Sequence, residues 1–166
     1  MKNTKHIMIK NLLISILFVA IGIALGTLFC AGITGFETFA NLIDIPTLLL
    51  IAILALPNLF ICGLWKDFLR TFHLGSPEPS YTLSELKRSL EAVTLLQKQL
   101  AYSGILVAFM GVIMTLRRLD DPSVIGPCLA VVCLSAFYTA MFEIIIMPLY
   151  VQTKKCIIDY MEEDES

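Results

Sequence analysis

Charge is scarce in this 166-residue chain. Only 16% of the residues are charged and 57% are hydrophobic, whereas soluble domains average about 25% and about 45–50%. Residues 11–32, 45–65 and 100–116 contain no charged residue, and residues 124–151 contain only Glu143. A helix needs ~20 apolar residues to cross a bilayer. The shortage of charge excludes a soluble domain and predicts a single, all-α membrane domain over residues 1–166, with four transmembrane helices at about 11–32, 44–65, 100–116 and 124–151.

Residues that commonly carry chemistry are also few. The two histidines, His6 and His73, stand alone, and the five cysteines do not have the spacing of a zinc site or a disulfide framework. The sequence contains no nucleophile with a neighbouring base and no glycine-rich nucleotide loop. A net charge of −2 does not favour binding to nucleic acid. We therefore expect no enzymatic activity, cofactor, metal or nucleic-acid partner.

Basic residues indicate the orientation of the spans. Ten of the twelve lie in three segments: the N-terminal tail, the loop 66–99 and the C-terminal tail. Because basic loops stay in the cytoplasm, both termini and the loop are predicted to be cytoplasmic. A cleavable signal peptide is the alternative for the N-terminus, but the apolar run is longer than a signal requires. The acidic tail at residues 157–166 is expected to be disordered.

The loop 66–99 carries the start signal of a long helix. Thr82 and Glu85 are spaced as a capping box, and no strong helix breaker follows before Leu116. The sequence therefore predicts one helix from Leu83 to Leu116, continuous with the third span. The fourth span is long enough to project as well. Helices three and four are both expected to extend into the cytoplasm.

Small residues recur at helical spacing in the first and third spans. Gly22 and Gly26 form a GxxxG motif, and Gly104, Ala108 and Gly111 share one helix face. In lipid, such faces allow helix backbones to approach closely. Close packing of helices and the lining of a pore are both open interpretations of the face on the third span.

Polar residues form a stripe on the fourth span. Ser135, Thr139 and Glu143 are spaced by four residues, and Glu143 is the one charge within the span. An intramembrane charge is a functional candidate by default. Glu143 is either a proton-transfer step, a structural ion pair or a group facing water. Ser135 either faces a path or bonds to its own helix backbone.

The C-terminal half resembles the last two transmembrane helices of the MotA/TolQ/ExbB proton-channel family. It is most similar to the flagellar stator A-subunit branch, in which a short polar turn precedes a G-P-x-x-A-V run and a polar pair followed by an aromatic residue. The corresponding stretches here are Asp120-Asp121-Pro122, Gly126-Pro127-Cys128-Leu129-Ala130-Val131 and Ser135-Ala136-Phe137-Tyr138.

The resemblance implies a homopentamer in the bacterial cytoplasmic membrane, surrounding a dimer of a single-span MotB/ExbD/TolR-like subunit. It implies ion flow that powers that partner, whose helix supplies the essential aspartate. Ala108 and Ala136 occupy positions where sodium-driven relatives carry threonine, so the transported ion is predicted to be H+. The loop 66–99 is much shorter than the cytoplasmic domain of the family. The alternative is a non-conducting four-helix scaffold or assembly subunit of a larger complex.

Overall fold

The fold consists of helices joined by short connections. The computed structural model describes residues 4–31, 42–72 and 81–165, and these ranges contain no β-strand. The predicted all-α class is therefore confirmed for the described residues. The helices are α1 (Thr4–Ala31), α2 (Ile45–Ile61), α3 (Trp65–Thr71), α4 (Leu83–Arg117) and α5 (Pro122–Glu165).

Three of the described helices, α1, α4 and α5, are long and apolar enough to span a membrane. The second predicted span, 44–65, is less regular than expected. Its helix α2 has 17 residues and ends at Ile61, and α3 then leaves at 104°. Taken together, α2 and α3 would make a fourth span by length and composition.

The start of α4 agrees with the capping box in the sequence. The Glu85 backbone N–H donates to Thr82 Oγ1 at 3.4 Å, and the Thr82 backbone N–H donates to Glu85 Oε2 at 3.1 Å. The Thr82 backbone N–H and the Thr82 hydroxyl both donate to the Glu85 carboxylate, and these two bonds hold the pKa of the Glu85 carboxyl below its usual value. The helix runs from there for 35 residues, about 52 Å at 1.5 Å per residue. The predicted helix from Leu83 to Leu116 is confirmed and extends one residue further.

The C-terminal helix is longer than the sequence indicated. It has 44 residues and continues to Glu165, so the expectation of a disordered acidic tail was wrong. The extension packs against α4, where Thr153 and Ile157 are buried. No proline or glycine follows Pro148 to interrupt it.

The hairpin of α4 and α5 is the centre of the structure. Both glycines of the α4 face lie against α5. A methyl group on Gly104 would overlap the Thr139 hydroxyl and lie 2.9 Å from its Cβ. One on Gly111 would lie 2.7 Å from Val132 Cγ2 and 3.3 Å from the Cys128 carbonyl oxygen. The absence of side chains at these two positions sets the distance between the helices.

The helix α2 packs on this hairpin, chiefly against α4. Its buried face is formed by Ile51, Ala55 and Leu59. The Gln99 side chain donates to the Leu54 carbonyl at 3.1 Å. The preceding carbonyl in the chain, that of Ile53, has no helical donor. Its donor would be the N–H of residue 57, and Pro57 has none.

A sharp elbow separates α2 from α3. Gly63 has φ = 67°, the left-handed conformation that favours glycine. Aromatic rings fill the elbow: Phe60 stacks on Trp65 with ring centroids 4.3 Å apart, and Phe68 packs edge-on against Phe72 at 5.4 Å. Amphipathic rings such as Trp are enriched at the membrane–water boundary.

The helix α1 packs on α5. The Ser15 hydroxyl donates to the Ile144 carbonyl at 3.1 Å. In a regular helix that carbonyl would accept from residue 148, but Pro148 has no N–H. Ser15 therefore satisfies a backbone group that the proline leaves open. By contrast, a side chain at Gly22 or Gly26 would meet no atom within 4 Å.

We expect Gly111→Leu to destabilise the hairpin. A leucine at this contact must displace Val132 or move the backbone of α5, which typically costs about 1–3 kcal/mol. The matched control is Gly126→Leu, because a side chain at that helical glycine meets open space. Thermal unfolding of the purified protein in detergent should give a lower midpoint for Gly111→Leu than for the control. Equal midpoints would show that this contact does not determine stability.

Candidate functional site

The polar stripe of α5 does not form one continuous surface. Ser135 is fully buried, and its hydroxyl donates to the Val132 carbonyl at 2.8 Å. The Thr139 hydroxyl donates to the Ser135 carbonyl at 2.8 Å and lies against Gly104. Both hydroxyls are used by the backbone of their own helix and sit inside the hairpin. For Ser135 this arrangement corresponds to the second of the two interpretations of the sequence, in which the hydroxyl bonds to its own helix backbone instead of facing an ion path.

Ala136 lies on a different side of α5. It is exposed, as are Cys133 and Ala140, which are its neighbours at helical spacing. These three small residues form an exposed strip, hereafter the small-residue strip, whose Ala140 end borders α1. The structure thus separates two adjacent candidates: Ser135 belongs to the hairpin interior, whereas Ala136 belongs to a surface that another chain could contact.

Ala108 lies on the α4 face that contacts α5. It is half-buried and stands one turn from Gly104 and nearly one turn from Gly111. Its methyl group offers no oxygen ligand to a cation. Within the single chain, Ala108 is therefore part of the packing between α4 and α5.

Glu143 is half-buried on α5, one turn beyond Thr139. No described residue forms a hydrogen bond or an ion pair with its carboxylate. An acid in an apolar span without a partner of its own is positioned to interact with water or with a second chain.

Tyr138 is a positioning residue that the sequence did not reveal. It is 3% exposed. Its hydroxyl accepts from the Asp44 backbone N–H at 2.6 Å and donates to the Leu42 carbonyl. Asp44 in turn accepts from the Thr47 hydroxyl at the start of α2. One phenol thus fixes the entry of α2 against α5.

A cluster of charges joins α3 to the start of α4, and the sequence did not indicate it either. The Asp67 side chain is 7% exposed. It accepts from Arg70 at 2.8 Å and lies 3.6 Å from Arg88 Nε. Arg70 also pairs with Glu85 at 3.4 Å. Two guanidinium groups compensate the buried carboxylate, which would otherwise be costly. The two pairs that link the helices, Arg70 with Glu85 and Asp67 with Arg88, are 15 and 21 positions apart in the sequence, too far for a local pattern to pair them.

The described residues contain no cluster of three or more His, Cys, Asp or Glu side chains that could hold a metal ion. Comparison with known proteins gives no further guide to the site, because no family model, curated protein or solved structure matches this chain.

We expect Tyr138→Phe to loosen the entry of α2. The substitution leaves the Asp44 N–H and the Leu42 carbonyl without a partner, at a cost of about 1–3 kcal/mol. Hydrogen–deuterium exchange over residues 42–48 should become faster. The matched control is Tyr102→Phe, because Tyr102 is 65% exposed. Unchanged exchange in Tyr138→Phe would mean that other contacts hold this segment.

Proposed function

We propose that this protein is a ring-forming subunit of a membrane motor driven by the proton-motive force. Its copies surround the helices of a single-span partner and power that partner by ion flow. The proposal rests on the resemblance of residues 104–148 to the stator A-subunits, together with the hairpin that these residues form.

The hairpin is the observation that carries the proposal. A ring around a central partner needs long, rigid inner helices that present a smooth face. The close contact of α4 and α5 at Gly104 and Gly111 supports such a rigid pair. The small-residue strip on α5 supports a close approach by another helix, since small residues let backbones pack in lipid.

Much of the apolar surface of the chain is left uncovered, which supports assembly within a bilayer. On α4 alone, Ile105, Phe109 and Ile113 are each more than half exposed. Lipid and neighbouring subunits are the surroundings that cover such surfaces in membrane proteins. We propose a homopentamer around a dimer of a MotB/ExbD/TolR-like partner.

The antiparallel arrangement of α1 and α5 fits the proposed topology. If both termini are cytoplasmic, α1 runs outward and α5 runs inward. This agrees with the two cavities between them, one of which joins Asn11 to Gln152 and the other Gly26 to Phe137. Four spans, with α2 and the elbow as the second, satisfy this orientation. The corresponding location is the bacterial cytoplasmic membrane.

The proposed ion is H+. Sodium needs several oxygen ligands, but Ala108 and Ala136 supply none, Ser135 is fully buried, and the Thr139 hydroxyl lies against Gly104. A proton needs only a titratable carrier and a water path. The partner helix supplies the main carrier in this proposal, and Glu143 is the candidate within this chain. The driving energy is about 2.3 kcal/mol per charge per 100 mV of membrane potential.

A non-conducting scaffold is the second candidate function. The observation that favours it is the enclosure of the Ser135 and Thr139 hydroxyls within the hairpin, because this removes two polar groups from any path. A scaffold would bind its partner through the same small-residue strip. Its partner would need no titratable group in the membrane.

The function is tested by reconstituting the protein in vesicles with a co-purified single-span partner. We expect proton flux only when both chains are present, and no change when sodium is replaced by potassium at fixed membrane potential. Imaging of the same complex should show five copies around two central helices. A sodium requirement would contradict the assignment of the ion, and a stable complex without flux would favour the scaffold.

One variant of Glu143, examined by two measurements, distinguishes the three possible roles of this residue. If Glu143 transfers protons, Glu143→Gln should assemble normally but lose flux, because the amide keeps the shape and cannot titrate. If it pairs with a cation on another chain, the yield of complex should fall, because that cation is left unpaired. The control is Glu91→Gln, an exposed acid outside the predicted span. Normal yield with normal flux would leave Glu143 without a role in conduction.

A further inference from the structure

A groove runs along the chain between α1 and α5. It consists of two adjoining cavities with volumes of about 550 Å³ and about 480 Å³. Phe18 and Ile144 line both cavities, so the two adjoin along α5. The groove changes in chemistry along its length.

The half toward the end of α1 is apolar. Gly22 and Gly26 form its floor on α1, and a side chain on either would meet no atom within 4 Å. Phe137 and Met141 face them from α5. The hydroxyl of Thr27 in this half already donates to the Ala24 carbonyl at 2.9 Å. The space left by the glycines is therefore bounded by hydrocarbon.

The other half is also lined mainly by hydrocarbon, but polar groups and a cation stand at its far end. Asn11, Gln152 and Lys155 line it. Both amide atoms of Gln152, Nε2 and Oε1, are buried and lack a hydrogen-bond partner among the described residues. Buried polar groups are nearly always hydrogen-bonded. The Gln152 amide therefore has hydrogen-bonding capacity at this end of the groove that the described residues do not use.

We propose that this groove binds an anionic phospholipid. One acyl chain lies in the apolar half, and the phosphate accepts a hydrogen bond from Gln152 Nε2 and pairs with Lys155. The proposal rests on the proposed topology, with the C-terminal end of α5 on the cytoplasmic side, but it does not depend on ion conduction.

The dimensions and depth of the groove fit this ligand. From Gln152 to Phe137 the groove follows α5 for about 22 Å, at 1.5 Å per residue. One leaflet contributes about half of the ~30 Å hydrocarbon core, so an acyl chain fits within this length. Lys155 lies just beyond the predicted end of the fourth span at residue 151, which is where a phosphate of the cytoplasmic leaflet is found. Anionic lipids of that leaflet attract basic residues at this level.

Fluorescence quenching tests the proposal directly. Trp65 is the one tryptophan of the chain, so Trp65→Phe combined with Phe18→Trp places a single reporter in the groove. The protein is reconstituted in vesicles containing phosphatidylglycerol or phosphatidylcholine with brominated acyl chains. We expect half-maximal quenching at about a fivefold lower mole fraction of the anionic lipid, the size expected for one lysine near an anionic surface. Equal quenching by the two lipids would overturn the proposal, as would absence of quenching, which would show that protein fills the groove.

Matched variants locate the headgroup. Gln152→Leu combined with Lys155→Ala should abolish the preference for the anionic lipid, whereas Lys154→Ala should keep it, because Lys154 is exposed and does not line the groove. A reporter introduced by Phe109→Trp, on a residue that is 61% exposed on α4, should show no preference. A preference that survives the double substitution would refute the assignment of the headgroup.

A measurement on the unlabelled protein tests the proposal even if the reporter variant does not fold. Native mass spectrometry of the natural chain should show retained phosphatidylglycerol that is lost in the Gln152→Leu and Lys155→Ala double variant. Equal retention by the two proteins would contradict the proposal independently of the fluorescence result.

Discussion

The close contact between α4 and α5 is the constraint on which the rest of the structure depends. In water, two apolar helices associate because they bury surface, but in lipid that driving force is absent and contact must come from packing. Gly104 and Gly111 provide this packing by bringing α4 against Thr139 and Val132. With the hairpin fixed, α2 packs chiefly on α4 and α1 packs on α5.

The same contact divides the surface of α5 by chemistry. The hydroxyls that a path could have used face inward and bond to their own backbone, whereas the alanines at 136 and 140 face outward. Any ion that passes along the outer surface of α5 therefore meets methyl groups rather than hydroxyls. Glu143 is the one charged residue in the predicted span 124–151. In the proposed motor, the partner chain must therefore supply the other titratable groups.

The sequence predicted those features that depend on local patterns. Charge-free runs located α1, α4 and α5, and the Thr82–Glu85 pair placed the start of α4 at the correct residue.

The remaining features depend on contacts between distant positions. The bond from Tyr138 to the Asp44 backbone spans 94 residues, and nothing local to either residue indicates it. The helical tail was mispredicted because solvation does not by itself end a helix: α5 continues to Glu165 although residues 158–162 are exposed. The elbow after Ile61 depends on a left-handed glycine at position 63, a conformation that glycine permits but does not require.

The hydrogen bond between Ser15 and the Ile144 carbonyl has a consequence for biosynthesis. Chains are made from the N-terminus, so α1 enters the membrane before any of α5 exists. Its one described hydrogen bond to another helix joins residues 129 positions apart, and its packing surface on α5 comes from the last quarter of the chain. During translation α1 is therefore a helix without its docking site, held in the bilayer by its own hydrophobicity. Docking of α1 waits until α5 has been made, so a chain truncated before α5 would insert α1 and leave it undocked.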